Sequence, residues 1–190
     1  MPGSEYEKVL ELATDQYGCV TTSQAREGGV SADTLRKMAK RGTLERVSWG
    51  VYRVPTFPPS PYAEYMEASL WPAGVHGVVS HESALTLREL SDVSPSAVHI
   101  TVPDNFRIRR DVPAHLAIHH ARLTDDEVTV FEGIPCTIVA RTIEDCHRVH
   151  VGPALLRQAI EDAEREGFLN PAEAAELRER VLTAAVFTGE

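Results

Sequence analysis

Residues 19–54, CVTTSQAREGGVSADTLRKMAKRGTLERVSWGVYRV, place start and stop signals for local structure so close together that few folds can accommodate them. Cys19-Val20-Thr21 has strand character, and Thr22 or Ser23 can N-cap a brief helix running to Glu27. Gly28-Gly29 makes a tight turn, Val30 is placed as a hydrophobic staple, and Ser31 is the N-cap of a second helix. That helix, 32–41, ends at Gly42, a natural residue just past a helix C-terminus. Two strands, 44–47 and 51–54, follow and are joined through Ser48-Trp49-Gly50. A preceding helix over 5–16 carries Val9, Leu10, Leu12 and Ala13 at helical spacing and stops at Tyr17-Gly18. Helix, strand, helix, turn, helix and hairpin in this order form a winged helix-turn-helix.

Charge separates this segment from the rest. Residues 23–54 carry seven basic side chains against three acidic ones, a net +4, while the other 158 positions together carry −13. A basic island in an acidic chain is an electrostatic footprint for a polyanion, most simply DNA. At 100° per residue, Leu35, Met38 and Ala39 share one side of the second helix, and Asp33, Lys37 and Lys40 face away, flanked by Arg36 and Arg41. Asp33 and Thr34, in its first turn, occupy positions from which recognition helices touch base edges. Ser23 and Gln24 on the first helix complete the major-groove set. The hairpin supplies Arg46, Ser48, Trp49 and Arg53 as a wing that reaches phosphates or a minor groove. A charged helix face is ordinarily just solvated, and winged helices also serve as protein-interaction modules. The turn, second helix and basic wing in sequence are what favour DNA. For Trp49, packing back on its own hairpin weighs equally with a DNA contact.

Residues 55–61, PTFPPSP, hold four prolines in seven positions and read as a semi-rigid, non-helical connector between a first domain, 1–54, and a second, 62–190. The second domain reads as a helix over 62–71 stopped at Pro72, a strand near 75–79, and a helix over 81–89 N-capped by Ser80. Strands over 97–102, 115–121, 128–131 and 134–137 follow, with Glu132-Gly133 turning between the last two. Helices over 138–149, 153–166 and 171–182 end the chain. The fold class is therefore α+β: a winged helix-turn-helix, then a mixed α+β domain with a helical C-terminal tail.

The chemistry of that second domain is sparse. Ser80-His81-Glu82-Ser83 looks like a catalytic cluster, but adjacent helical residues do not converge on one point, and Ser80 and Glu82 have capping and helix-dipole roles. His119 and His120 face opposite sides of a strand, so they do not easily ligate one metal. Cys146, His147 and His150 could supply ligands from one helix, but no CxxC or HExxH is present. Buried thiols and surface imidazoles are the preferred reading, so no metal, no cofactor and no catalytic residues are expected. Arg141 and Asp145 are spaced to pair across one helical turn as a structural brace. Glu161, Asp162, Glu164, Glu166, Glu173, Glu176 and Glu179 make the tail acidic, either as a solvated face or as a surface for a basic partner.

No apolar run is long enough to span a bilayer, the N-terminus MPGSEYEKVLEL has no signal-peptide core, and three cysteines build no disulfide framework. A cytoplasmic protein without membrane association is expected.

In the first domain, GCVTTSQAREGGVSADTLRKMAKRGTLERVSWGVYRVP, and in the second VVSHESAL, VHITVP and GIPCTIVARTIEDC, resemble in composition and order the AbiEi family of antitoxins from bacterial type IV toxin–antitoxin systems. The resemblance implies a repressor of its own operon. Its winged helix would bind operator DNA, and its second domain would counteract a nucleotidyltransferase toxin, directly or functionally; oligomeric state stays open, and two copies could meet only on an inverted repeat. Two other classes stand beside it. One is an enzyme, disfavoured because all three lysines (Lys8, Lys37, Lys40) lie in the first 40 residues, leaving none for a D/E-x-K nuclease site beyond, and because no Asp-x-Asp occurs. The other is a ligand-sensing winged-helix regulator with no toxin partner.

Overall fold

The computed structural model describes residues 3–72 and 74–182. The chain divides into two compact units, Met1–Gly77 with Glu132–Ile134, and Val78–Phe131 with Pro135–Glu190. The proline-rich segment 55–61 and the helix after it both fall within the first unit. Together the units are mixed α+β, with eight α-helices and two sheets among the described residues.

The first unit contains α1 (Ser4–Thr14), β1 (Cys19–Thr21), α2 (Thr22–Glu27), α3 (Ala32–Lys40), β2 (Glu45–Ser48), β3 (Val51–Arg53) and α4 (Ala63–Leu70). Its sheet runs β1-β3-β2, all antiparallel, with Val20 opposite Tyr52 and Tyr52 opposite Arg46. A register shift between Arg46 and Ser48 bends β2 towards its turn. The core gathers Val9, Ala13, Val20, Ala25, Val30, Leu35, Leu44, Tyr52 and Val54.

Local chemistry sets the helix ends. Ser31 accepts the Thr34 N–H at 3.0 Å, and the flanking Val30 and Leu35 are both fully buried, as a staple requires. After α3, the Gly42 N–H reaches the Ala39 carbonyl and the Thr43 N–H the Met38 carbonyl, with Gly42 at φ +75°, which together make a Schellman ending. At α2 the cap is Thr21, one residue ahead of Thr22 and two ahead of Ser23, the expected caps. Thr21 Oγ1 accepts the Gln24 N–H at 3.1 Å while Gln24 Oε1 accepts the Thr21 N–H at 2.9 Å. The Gln at the third helical position selects that cap, because only Thr21 can exchange both bonds with it. Gly18, at φ +83°, also has no room for a side chain, since a Cβ there would lie 2.8 Å from Phe57 Cβ.

The second unit contains β4 (Val78–Val79), α5 (His81–Leu87), β5 (Val98–Val102), β6 (Leu116–His120), a 3-10 turn (Asp125–Glu127), β7 (Val128–Phe131), β8 (Ile134–Thr137) from Pro135 onward, α6 (Val139–Arg148), α7 (Pro153–Arg165) and α8 (Pro171–Leu182). Strand order is β6-β5-β4-β8-β7, with β4 antiparallel to β5 but parallel to β8, and β5 parallel to β6. The helical core joins Leu85, Ile143, Cys146, Leu156, Ile160, Leu177 and their neighbours. Arg88 is buried within this unit. It donates to the Ala84 and Thr137 carbonyls at 3.0 and 2.7 Å and to Cys136 Sγ at 2.9 Å, and it lies over the Phe131 ring. Those acceptors are what make a buried guanidinium tolerable. Arg141 donates from Nε to both Asp145 oxygens at 2.9 and 3.0 Å and from Nη1 to Glu127, so the expected brace is larger than a pair.

Candidate nucleic-acid interface and histidine cluster

Because α3 buries Leu35 and half-buries Met38 and Ala39, its opposite stripe is presented outward: Asp33, Arg36, Lys37 and Lys40 are exposed, with Arg41 at the C-cap. Lys37 Nζ lies 2.7 Å from Asp33 Oδ2, and Arg36 Nη2 lies 3.7 Å from Asp33 Oδ1. The Lys37 hydrogen bond holds the Asp33 carboxyl below its ordinary range. Asp33 thus competes with any phosphate for these cations. On the wing, Trp49 is 69% exposed at the turn, with the Arg46 guanidinium 4.9 Å from its ring centroid. That stack fixes the direction of Arg46 without burying its charge.

The other expected contacts are placed less favourably. Ser23 is exposed and donates to Glu27. Thr34 is half-buried and donates to Glu5 Oε1 at 3.2 Å. Gln24 is committed inward, with its oxygen on Thr21 and its Nε2 on Gln16 at 2.8 Å. Arg53 is clamped between Glu45 at 2.8 Å and Glu67 at 3.2 Å. The Ser48 hydroxyl is buried and has no hydrogen-bond partner among the described residues. The outward set is therefore Asp33, Arg36, Lys37, Lys40, Arg41, Arg46 and Trp49.

A second constellation lies in the second unit. In the parallel β5–β6 register Thr101 stands opposite His119 and His99 opposite Ala117, so His99, Thr101 and His119 share one sheet face. His81, the first residue of α5, joins them. It is 6% exposed, adopts φ +54°, and stacks on His119 with ring centroids 3.6 Å apart. His119 Nε2 and His99 Nδ1 are 3.1 Å apart, and ligating nitrogens of all three imidazoles lie within 4.8 Å of one another. Ser80 holds the N-cap position but makes no capping bond. Its hydroxyl instead pairs with His81 Nδ1 at 2.9 Å and accepts from Thr101 Oγ1 at 2.8 Å. The left-handed turn at His81 swings the Ser80 side chain away from the helix N–H groups, which is why the expected cap is not formed.

Burial lowers all three imidazoles. Desolvation, then the neighbouring His119 and His99, take His81 down to about 3. Desolvation, then His99, take His119 down to about 4 despite the attraction of Asp145. His99 is lowered by burial and partly restored by Glu82, whose Oε2 is 3.8 Å from His99 Nε2. At neutral pH the cluster is uncharged and rich in nitrogen lone pairs. Among the described residues this is the one His/Cys/Asp/Glu group with metal-ligand proximity, and it differs from the Cys146, His147 and His150 set weighed from sequence. Cys146 is fully buried in the helical core, with burial pushing its thiol well up. Parity along β5 and β6 hints at His99 and His119, but nothing local marks His81 as their partner.

Residues 7–55 match the family model described as transcriptional regulator, AbiEi antitoxin. This span runs from within α1 to just past β3, so the match covers the winged helix, and over it the AbiEi resemblance is borne out. Among solved structures, the RV2827C protein from Mycobacterium tuberculosis is similar at 15% identity, covering 92% of this chain and 80% of that one with a TM-score of 0.42. No curated protein matches the chain significantly. No described helix is long and apolar enough to cross a membrane.

Proposed function

We propose that this protein is an autoregulatory antitoxin. Its winged helix binds operator DNA upstream of its own gene and represses the operon, and the second unit counteracts a cognate nucleotidyltransferase toxin without catalysis of its own. The observation that carries the DNA half is the exposed α3 stripe of Arg36, Lys37, Lys40 and Arg41, together with the Arg46–Trp49 stack, on a domain matching AbiEi regulators. Phosphate contacts from these cations position the helix, and base edges are read from its first turn at Asp33. The antitoxin half rests on the family match alone.

A mobility-shift titration on the upstream DNA, against a scrambled duplex at two salt concentrations, tests the first half. Four or five phosphate contacts give a log–log salt slope near about −4. Joint substitution of Lys37, Lys40 and Arg46 by Ala is expected to reduce that slope by about 3 and to weaken binding to both duplexes, with the unfolding transition unchanged. Equal affinity of the parent for both duplexes would make the winged helix a protein-interaction module. Co-expression with a neighbouring nucleotidyltransferase gene tests the second half: restored growth supports it, and undiminished toxicity with the antitoxin present rejects it.

A further inference from the structure

We propose that His81, His99 and His119 form a binding site for a divalent transition-metal cation of the zinc class, held by three imidazole nitrogens with the fourth position left to water. Tetrahedral zinc with Zn–N bonds of about 2.0–2.1 Å sets its ligand nitrogens about 3.3 Å apart. His99 Nδ1 and His119 Nε2, at 3.1 Å, already stand at that edge. The third donor lies within 4.8 Å and closes by rotation of the His81 ring out of its stack.

The surroundings are those of a ligand set. A metal-bound imidazole characteristically gives its other N–H to an oxygen, which fixes both tautomer and ring direction. With Nδ1 of His81 on Ser80 Oγ, Nε2 keeps its lone pair for the cation. Thr101 in turn donates to Ser80, so the orienting hydroxyl is itself held. His99 presents Nδ1 to the cluster while its Nε2 faces the Glu82 carboxylate. Ser83 Oγ accepts the His99 N–H at 2.9 Å, tying the start of α5 to β5 and hence His81 to His99. His81 itself adopts a left-handed backbone that a β-carbon disfavours. Such strain persists where the surroundings over-determine it, as they do around a ligand set.

Hydrophobic burial alone is a poor account of the arrangement, because three half-buried or buried imidazoles facing one another leave lone pairs opposed and only one N–H···N bond between His99 and His119. A dication turns those opposed lone pairs into ligands; Glu82 at His99 and Asp145 at His119 attract it, while the Arg141 and Arg148 charges felt at His81 oppose it. Three nitrogen donors select the borderline metals Zn2+, Co2+ and Ni2+ over Mg2+ and Ca2+, which take oxygen. Among the described residues no cysteine belongs to the group of convergent donors, so a thiolate ligand is not part of the site.

The test uses the full chain, stripped with a chelator and titrated with Zn2+ by calorimetry and with Co2+ by visible absorption. One equivalent should bind, and the Co2+ form should show tetrahedral d–d bands without a thiolate charge-transfer band. His99→Gln and His119→Gln should each weaken Zn2+ binding by tenfold or more, and Ser80→Ala by about tenfold through the outer shell. His120→Gln, on the opposite and exposed face of β6, should leave it unchanged. Imidazole 1H–15N spectra of the unsubstituted protein provide the same answer if a variant fails to fold. Of the eight histidines, three should shift on adding Zn2+. Absence of stoichiometric uptake, a thiolate band, shifts at His76, His147 or His150 instead, or full affinity in both glutamine variants would each overturn the assignment.

Discussion

Asp33 and Asp145 each face a basic side chain one helical turn away, and their settings differ sharply. Asp33 pairs with Lys37 on α3, with side chains 59% and 65% exposed. Asp145 pairs with Arg141 on α6, with side chains 5% and 12% exposed, and the network extends to Glu127 and Arg148. In the first unit the pair is an adjustable surface element, open to salt and to a competing phosphate. In the second it is sealed into the framework beside the histidine cluster, where loss of one member strands the other. The same spacing thus serves recognition outside and architecture inside. Solvent access, not sequence separation, decides which.

Asp145→Ala should show the largest effect of any change that tests this contrast. It removes the two Nε bonds of Arg141 and one of Arg148, and breaking a largely buried pair costs about 3 kcal/mol or more. Urea denaturation should report that loss, and a change below about 1 kcal/mol would mean the network is solvated rather than sealed.

Acidification should come next. The His81 and His119 rings are held at about 3 and about 4 in the folded chain, chiefly by desolvation, against an ordinary value near 6.5. Between roughly pH 6.5 and 4 the unfolded chain therefore binds protons that the folded chain refuses. Stability is complete above pH 6.5 and declines as pH falls, by at most about 1.4 kcal/mol per pH unit for each such histidine. Thermal melts of the metal-free protein at pH 7 and pH 5 measure it, and the slope should flatten in His119→Gln. An unchanged slope would place the titrating groups elsewhere.

Thr21→Ala sharpens the reading of the first unit. Loss of the capping box should cost about 1 kcal/mol, whereas Ser23→Ala, one of the caps expected from sequence, should cost little. Equal losses would return the cap to the later position. The smallest effect belongs to Asp33→Ala, which should leave the unfolding transition in place and tighten non-specific DNA binding a few-fold by releasing Lys37 and Arg36. Weaker non-specific binding instead would show that Asp33 does not compete with phosphate for these cations.

Much of the first unit is legible because its signals act over three or four residues. Ser31 with Thr34, Val30 with Leu35, Gly42 after Lys40, and the exposed stripe of α3 all follow from neighbours within one turn. The Thr21 cap was displaced from its expected place by the Gln at position 24, and that same commitment turns Gln24 inward. Arg53 shows where even this unit escapes the sequence, since Glu67 reaches it from the separate helix α4.

Sequence by itself determined the winged helix, its basic face and the boundaries of most second-unit strands and helices, because caps, turns and apolar periodicity are short-range consequences of residue type. Only tertiary structure decided the strand order β6-β5-β4-β8-β7, the burial of Arg88, and the meeting of His81 with His99 and His119. Those depend on the parallel register that sets Thr101 opposite His119, and on a left-handed turn that aims His81 at the strands. Neither leaves a periodic trace along the chain, because each is fixed by which distant surfaces exclude water together.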